Sequence, residues 1–175
     1  MPSRLRLIMP VLSALLVAVA AAVAPPRPGH SADELSVKIT APKPEGDAPL
    51  VKKDARYLLA VEGASQGVHG QERMILLYVN PHKGPAGWYL QIPPANGVSD
   101  VAEDGKWKGT CQLGNEQWPP HEEDPTFDIA VVVMAKTDAQ AAVAKAKEAP
   151  DKPLTDLPQG LAQHKAERLK TKLPG

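Results

Sequence analysis

Apolar side chains recur at every second position in a string of short runs, and proline or glycine closes most of the runs. That pattern restricts the chain to strands joined by turns. Leu35, Val37 and Ile39 alternate with Ser36 and Lys38. Residues 41–54 hold three prolines and mixed charge and read as a loop. A short apolar run over 56–61 ends at Glu62-Gly63. A second, over 73–79, ends at Asn80-Pro81, and a third, over 87–92, ends at Pro93-Pro94. Over 106–113, Trp107, Gly109, Cys111 and Leu113 share one face, and Lys106, Lys108, Thr110 and Gln112 the other. The run 127–134 is apolar on both faces, which predicts a central strand covered on both sides. Six or seven short strands with turns between them predict a mainly β fold, an antiparallel immunoglobulin-like β-sandwich of about seven strands.

The aromatic residues say where its core lies. All seven fall between Tyr57 and Phe127, and large rings dominate the burial energy of a small core. After residue 134 the pattern changes. Thr137 and Gln140 are spaced as a capping box, and residues 139–149 are strong helix formers throughout. A second short helix is predicted from Gly160 to Leu169, with a flexible linker over 149–158. The 19 prolines favour loops and short strands over long helices.

The N-terminus has the secretory layout: Arg4 and Arg6, then no charged residue from Leu7 to Ala24, ending in small residues. Cleavage after Ala20 or Ala22 is expected. An uncleaved anchor is the alternative, since 18 residues reach the lower edge of a bilayer span. The working part is therefore expected outside the cytoplasm, periplasmic or secreted, and touching a membrane only through residues 7–24 if these are retained. The divisions are 1–24 signal peptide or anchor, 25–33 linker, 34–148 sandwich with terminal helix, and 149–175 a Pro/Lys-rich C-terminal extension.

The whole chain carries 20 basic and 20 acidic side chains, and losing Arg4 and Arg6 leaves 18 against 20. A near-neutral mature chain has no overall attraction for nucleic acid or anionic lipid. Cys111 is the single cysteine, so packing alone must hold the exported fold.

Four constellations bear on chemistry. Gly63-Ala-Ser-Gln-Gly67 matches the nucleophile elbow, which would make Ser65 an esterase nucleophile. The elbow needs a helix after its strand, and here another strand follows, so a Gly-rich hairpin loop is preferred. His121, Glu122, Glu123 and Asp124 gather potential metal ligands, with His69 or His82 as remote partners, but their spacing matches no metal pattern and a solvated loop is preferred. Cys111, His121 and Met134 form the ligand set of a blue-copper centre without its tight loop spacing. A buried, inert thiol is preferred. Trp88, Tyr89 and Gln91 lie on a short strand between proline-rich turns. Exposed, Tyr89 and Gln91 would stack on and hydrogen bond a sugar; packed, Trp88 fills the core and Tyr89 covers a sheet edge.

The order Val61-Glu-Gly-Ala-Ser65, Leu77-Tyr-Val79, Trp88-Tyr-Leu-Gln91, Gly105-Lys-Trp107, Leu113-Gly-Asn115 and Phe127-Asp-Ile-Ala-Val131 resembles an uncharacterised small bacterial β-sandwich module. Such modules occur in extracytoplasmic and signalling-associated proteins. The resemblance spans residues 35–142. It implies that the Gly-x-Ser step closes a strand and is not catalytic, and it brings no catalytic set with it. The expectation is a non-catalytic binding or accessory module of the cell envelope, without cofactor or metal. Its partner would be another envelope protein or a surface glycan, and not nucleic acid. A serine hydrolase at Ser65 and a carbohydrate-binding module using Tyr89 and Gln91 are the alternatives.

Overall fold

A computed structural model describes residues 34–43, 47–70, 72–117, 119–120 and 126–174. The N-terminal segment 1–24, the linker 25–33 and the acidic loop at His121 lie outside the described residues. Among those described, no helix is long and apolar enough to cross a membrane.

The described residues form ten strands and one helix, in order β1 (Ser36–Ala41), β2 (Ala48–Pro49), β3 (Val51–Lys53), β4 (Arg56–Gln66), β5 (Arg73–Pro81), β6 (Tyr89–Gln91), β7 (Gly97–Val101), β8 (Lys106–Asn115), β9 (Thr126–Ala135), α1 (Lys136–Glu148) and β10 (Ala162–Lys172). The first sheet runs β1-β4-β8-β7, with β3 also paired to β4, and all its pairings are antiparallel. The second runs β2-β10-β9-β5-β6 and is antiparallel except where β2 meets β10. The described residues are mainly β, with two antiparallel-rich sheets and one helix.

The period-two pattern builds the core between the sheets. Val37, Ile39, Leu59, Val61, Trp107 and Cys111 come from the first sheet; Ile75, Leu77, Val79, Ile129, Val131 and Val133 from the second. Burial of each larger side chain contributes about 1.5–3 kcal/mol. Gly63 lets the Trp107 ring lie across its strand, since a Cβ there would sit 1.9 Å from Trp107 Cζ2 and 2.4 Å from the Lys38 carbonyl oxygen.

β9 is central, between β10 and β5, and buried on both faces as its sequence predicts. Ile129, Val131 and Val133 face the inter-sheet core. Ala130 and Val132 join Leu76, Tyr78, Trp88 and Ala139 in a second cluster on the far side, with Val143 and Leu157 packed against it. Helix α1 and the chain after it therefore roof the second sheet.

Three local expectations are corrected. The helix starts at Lys136, one residue before Thr137, with Ala135 at the cap and no side-chain capping bond. The Lys136 N–H instead donates to the Glu72 carbonyl at 2.8 Å, so a tertiary contact does the work of the capping box. The second helix, Gly160 to Leu169, is absent: that stretch enters β10. A bulge between Ala166 and Leu169 puts Arg168 at φ 52° and buries two residues three apart, which imitates helical spacing in the sequence. The stretch 149–158 is pinned and is not a free linker. Trp88 and Leu154 exchange backbone hydrogen bonds of 2.8 and 2.9 Å, and Leu157 packs against the second cluster.

Side chains of the second sheet also cap backbone N–H groups of the first. Gln91 Oε1 accepts from the Gln112 N–H at 2.7 Å, and His164 Nδ1 accepts from the Ile39 N–H at 3.4 Å. One sits toward β6, the other beside β1, so each flank of the two-sheet stack carries a cross-tie.

Candidate functional site

Gly63-Ala-Ser-Gln-Gly67 forms no elbow and no hairpin loop. Residues 63–66 continue β4 in extended form, and the strand β5 follows. Ser65 is 8 % exposed. Its hydroxyl donates to the Gly105 carbonyl at 3.0 Å, and its N–H donates to the same oxygen at 2.8 Å. The side chain ties the end of β4 to the β7–β8 turn.

Trp88, Tyr89 and Gln91 do not come together on one exposed face. Trp88 is buried in the roof, with the Lys165 ammonium 5.6 Å from its ring centre. Gln91 is 6 % exposed, and both ends of its carboxamide are used internally: Nε2 donates to the Tyr89 carbonyl and Oε1 accepts from Gln112. Tyr89 stays half-buried, its hydroxyl 3.4 Å from the Pro85 carbonyl oxygen. Burial raises the Tyr89 pKa, with Asp151 adding a smaller push.

Cys111 is fully buried, and burial pushes its thiol pKa up. It lies in the inter-sheet core, whereas Met134 packs on the opposite side of the second sheet. His82 Nε2 sits 2.7 Å from Asp128 Oδ1, which also accepts the Arg168 N–H at 2.8 Å. The pair holds the β10 bulge against the ends of β5 and β9. His69 Nδ1 lies 2.8 Å from the Val101 carbonyl oxygen. Among the described residues no three His, Cys, Asp or Glu side chains converge as a metal site.

A notch of about 200 Å³ lies beside that histidine, walled by Val68, Ile75 and Val98, with His69, Arg73 and Asp100 around it. The Arg73 guanidinium donates to the Gly67 carbonyl, which fixes the β4–β5 loop.

Among the described residues, the outer face of the first sheet presents a patterned, exposed surface. Register aligns Lys38, Ala64 and Lys106 across β1, β4 and β8, then Glu62 beside Lys108, Ala60 beside Thr110, and Leu58 between Val51 and Gln112. Lys53 and Arg56 close the far end. Ala60 and Ala64 are exposed, and Val51 is 62 % exposed. Lys108 pairs with Glu62 at 2.8 Å and Lys106 with Asp104 at 2.6 Å, yet the two lysine side chains remain 81 % and 78 % exposed. Mutual hydrogen bonding holds the Lys106 pKa above and the Asp104 pKa below their ordinary values. Sequence reading placed Lys106 and Lys108 on one polar face. It missed Lys38, Lys53 and Arg56 beside them, because cross-strand register is not written in any single run.

Comparison with protein-family models, with curated proteins and with solved structures finds no match to the chain.

Proposed function

We propose that the chain is an exported, non-catalytic binding or accessory module of the cell envelope, built as an immunoglobulin-like β-sandwich, and that it binds through the outer face of the first sheet. The observation that carries this reading is the unequal cover of the two sheets. The second is roofed by α1, Trp88 and Leu157. The first turns a patterned row of exposed residues to solvent. An uncharged segment over 7–24 behind Arg4 and Arg6 supports export.

The Ser65 hydroxyl, spent on a backbone carbonyl, supports a structural role over a nucleophilic one. The internally bonded Gln91 leaves a sugar site at Tyr89 without its second polar partner. The partner is another envelope component.

Site-specific photocrosslinking in the exporting cell tests the reading. A crosslinker at Ala60 or Ala64 is expected to capture a partner that one at Gln140, exposed on α1, does not. Equal capture from both surfaces, or a hydrolase activity abolished by Ser65→Ala, overturns it.

A further inference from the structure

We propose that the outer face of the first sheet docks on the anionic headgroup plane of a lipid bilayer. The inference rests on the binding-module reading and names the partner of that same face. The outward positions of β1, β3, β4 and β8 carry five cations, Lys38, Lys53, Arg56, Lys106 and Lys108, against one acid, Glu62, and the edge strand β7 adds the exposed Asp100. Within the described residues, Lys38, Lys53 and Arg56 have no ion-pair partner. Asp104 and Asp54 lie on the turns that border the face. A chain with equal numbers of basic and acidic side chains thus concentrates a positive surplus on one side, and it is the local potential, not the net charge, that a nearby surface meets.

The arrangement selects a plane over a single ligand. The cations sit in two groups, Lys38, Lys106 and Lys108 at one end and Lys53 with Arg56 at the other. Ala64 lies eight residues along β4 from Arg56, about 26 Å of strand. Between them lie Ala60, Thr110 and Leu58, with Gly97 alongside. These small or short side chains raise no walls, so an isolated anion finds no enclosure there. A flat negative surface meets both groups at once. Val51, exposed next to Leu58, gives the contact an apolar point.

Vesicle partitioning tests the proposal. The exported chain is mixed with phosphatidylcholine vesicles, with vesicles that also contain phosphatidylglycerol, and with soluble dextran sulfate. Binding to the phosphatidylglycerol vesicles is expected, weakening as salt is added, with none to phosphatidylcholine alone. Each lysine removed from such a contact weakens partitioning about fivefold. The triple variant Lys38→Gln, Lys106→Gln, Lys108→Gln is therefore expected to bind on the order of 100-fold more weakly, with an unchanged melting temperature. Equal binding to both vesicle types would report insertion of the N-terminal segment, and it overturns the proposal. So does a triple variant that binds like the unaltered chain, or tighter binding to dextran sulfate than to vesicles. If vesicle binding fails while a crosslinker at Ala60 still captures a protein, the lipid surface is wrong and the binding-module reading stands. If both fail, both fall.

Discussion

Tyr78 is 1 % exposed, and its hydroxyl meets no hydrogen-bond partner among the described residues. Burial raises its pKa to about 12, so it stays neutral at any physiological pH. An unmet buried hydroxyl costs stability, and Tyr78→Phe is expected to stabilise the fold by about 1 kcal/mol, read from the urea midpoint. Two further residues test backbone geometry. Asp54 and Ala55 turn β3 into β4 with φ of 49° and 63°, where a Cβ is crowded. Ala55→Gly is expected to gain about 0.5–1 kcal/mol by removing that strain. Gly63→Ala is expected to lose about 3 kcal/mol or more, because the new methyl collides with both Trp107 and the Lys38 carbonyl. Thermal melts of both variants check the opposite signs. That cost also accounts for the first glycine of the apparent Gly-x-Ser-x-Gly signature: it makes room for an indole.

At the scale of elements, the strands were legible wherever one face was buried and the other wet. β8 shows it, with Trp107, Cys111 and Leu113 inward and lysines outward. β9 was legible for the opposite reason, being apolar on both faces. β10 was not, because its bulge breaks the alternation between Ala166 and Leu169 and leaves helix-forming residues on a strand. The capping signal at Thr137 failed through a contact with Glu72, which no local pattern can announce. The cross-ties between sheets are equally non-local, and one of them titrates. His164 accepts the Ile39 N–H through Nδ1, which requires that nitrogen to be unprotonated. Burial lowers the His164 pKa, with Lys38 lowering it further. The folded state therefore favours neutral imidazole. Its contribution is present above the ordinary histidine value of 6.5 and is lost as the pH falls through that value toward the depressed one. Urea midpoints at about pH 7.5 and about pH 5 are expected to differ less in His164→Gln than in the unaltered chain, since glutamine keeps an acceptor and does not titrate.

At the scale of the molecule, the reading of one β-rich core was right in class and incomplete in extent. The aromatic window marked both clusters in part, with Trp107 and Phe127 in the inter-sheet core and Tyr78 and Trp88 in the second, but the second also draws Ala139, Val143 and Leu157 from beyond that window. The candidate site was hidden for a related reason. Net charge sums over every side chain, whereas the lysines of β1 and β8 become neighbours, and Lys53 of β3 joins their face, only once register is set. The C-terminal strand gives the sharpest whole-molecule test. Ala166 and Leu169 are buried in the core, and Thr171 pairs with Ala48. A chain ending at residue 160 bares one edge of β9 and part of that core. It is expected to be unfolded, with proteolysis and loss of near-ultraviolet dichroism as the readout.

That last strand also sets a clock. Ribosomes deliver the chain from its N-terminus, and β2 waits for a neighbour that is made after every other described strand. Until Ala162–Lys172 emerges, the second sheet lacks the strand that joins β9 to β2, so the nascent polypeptide holds an open sheet with an unpaired edge and no finished globule.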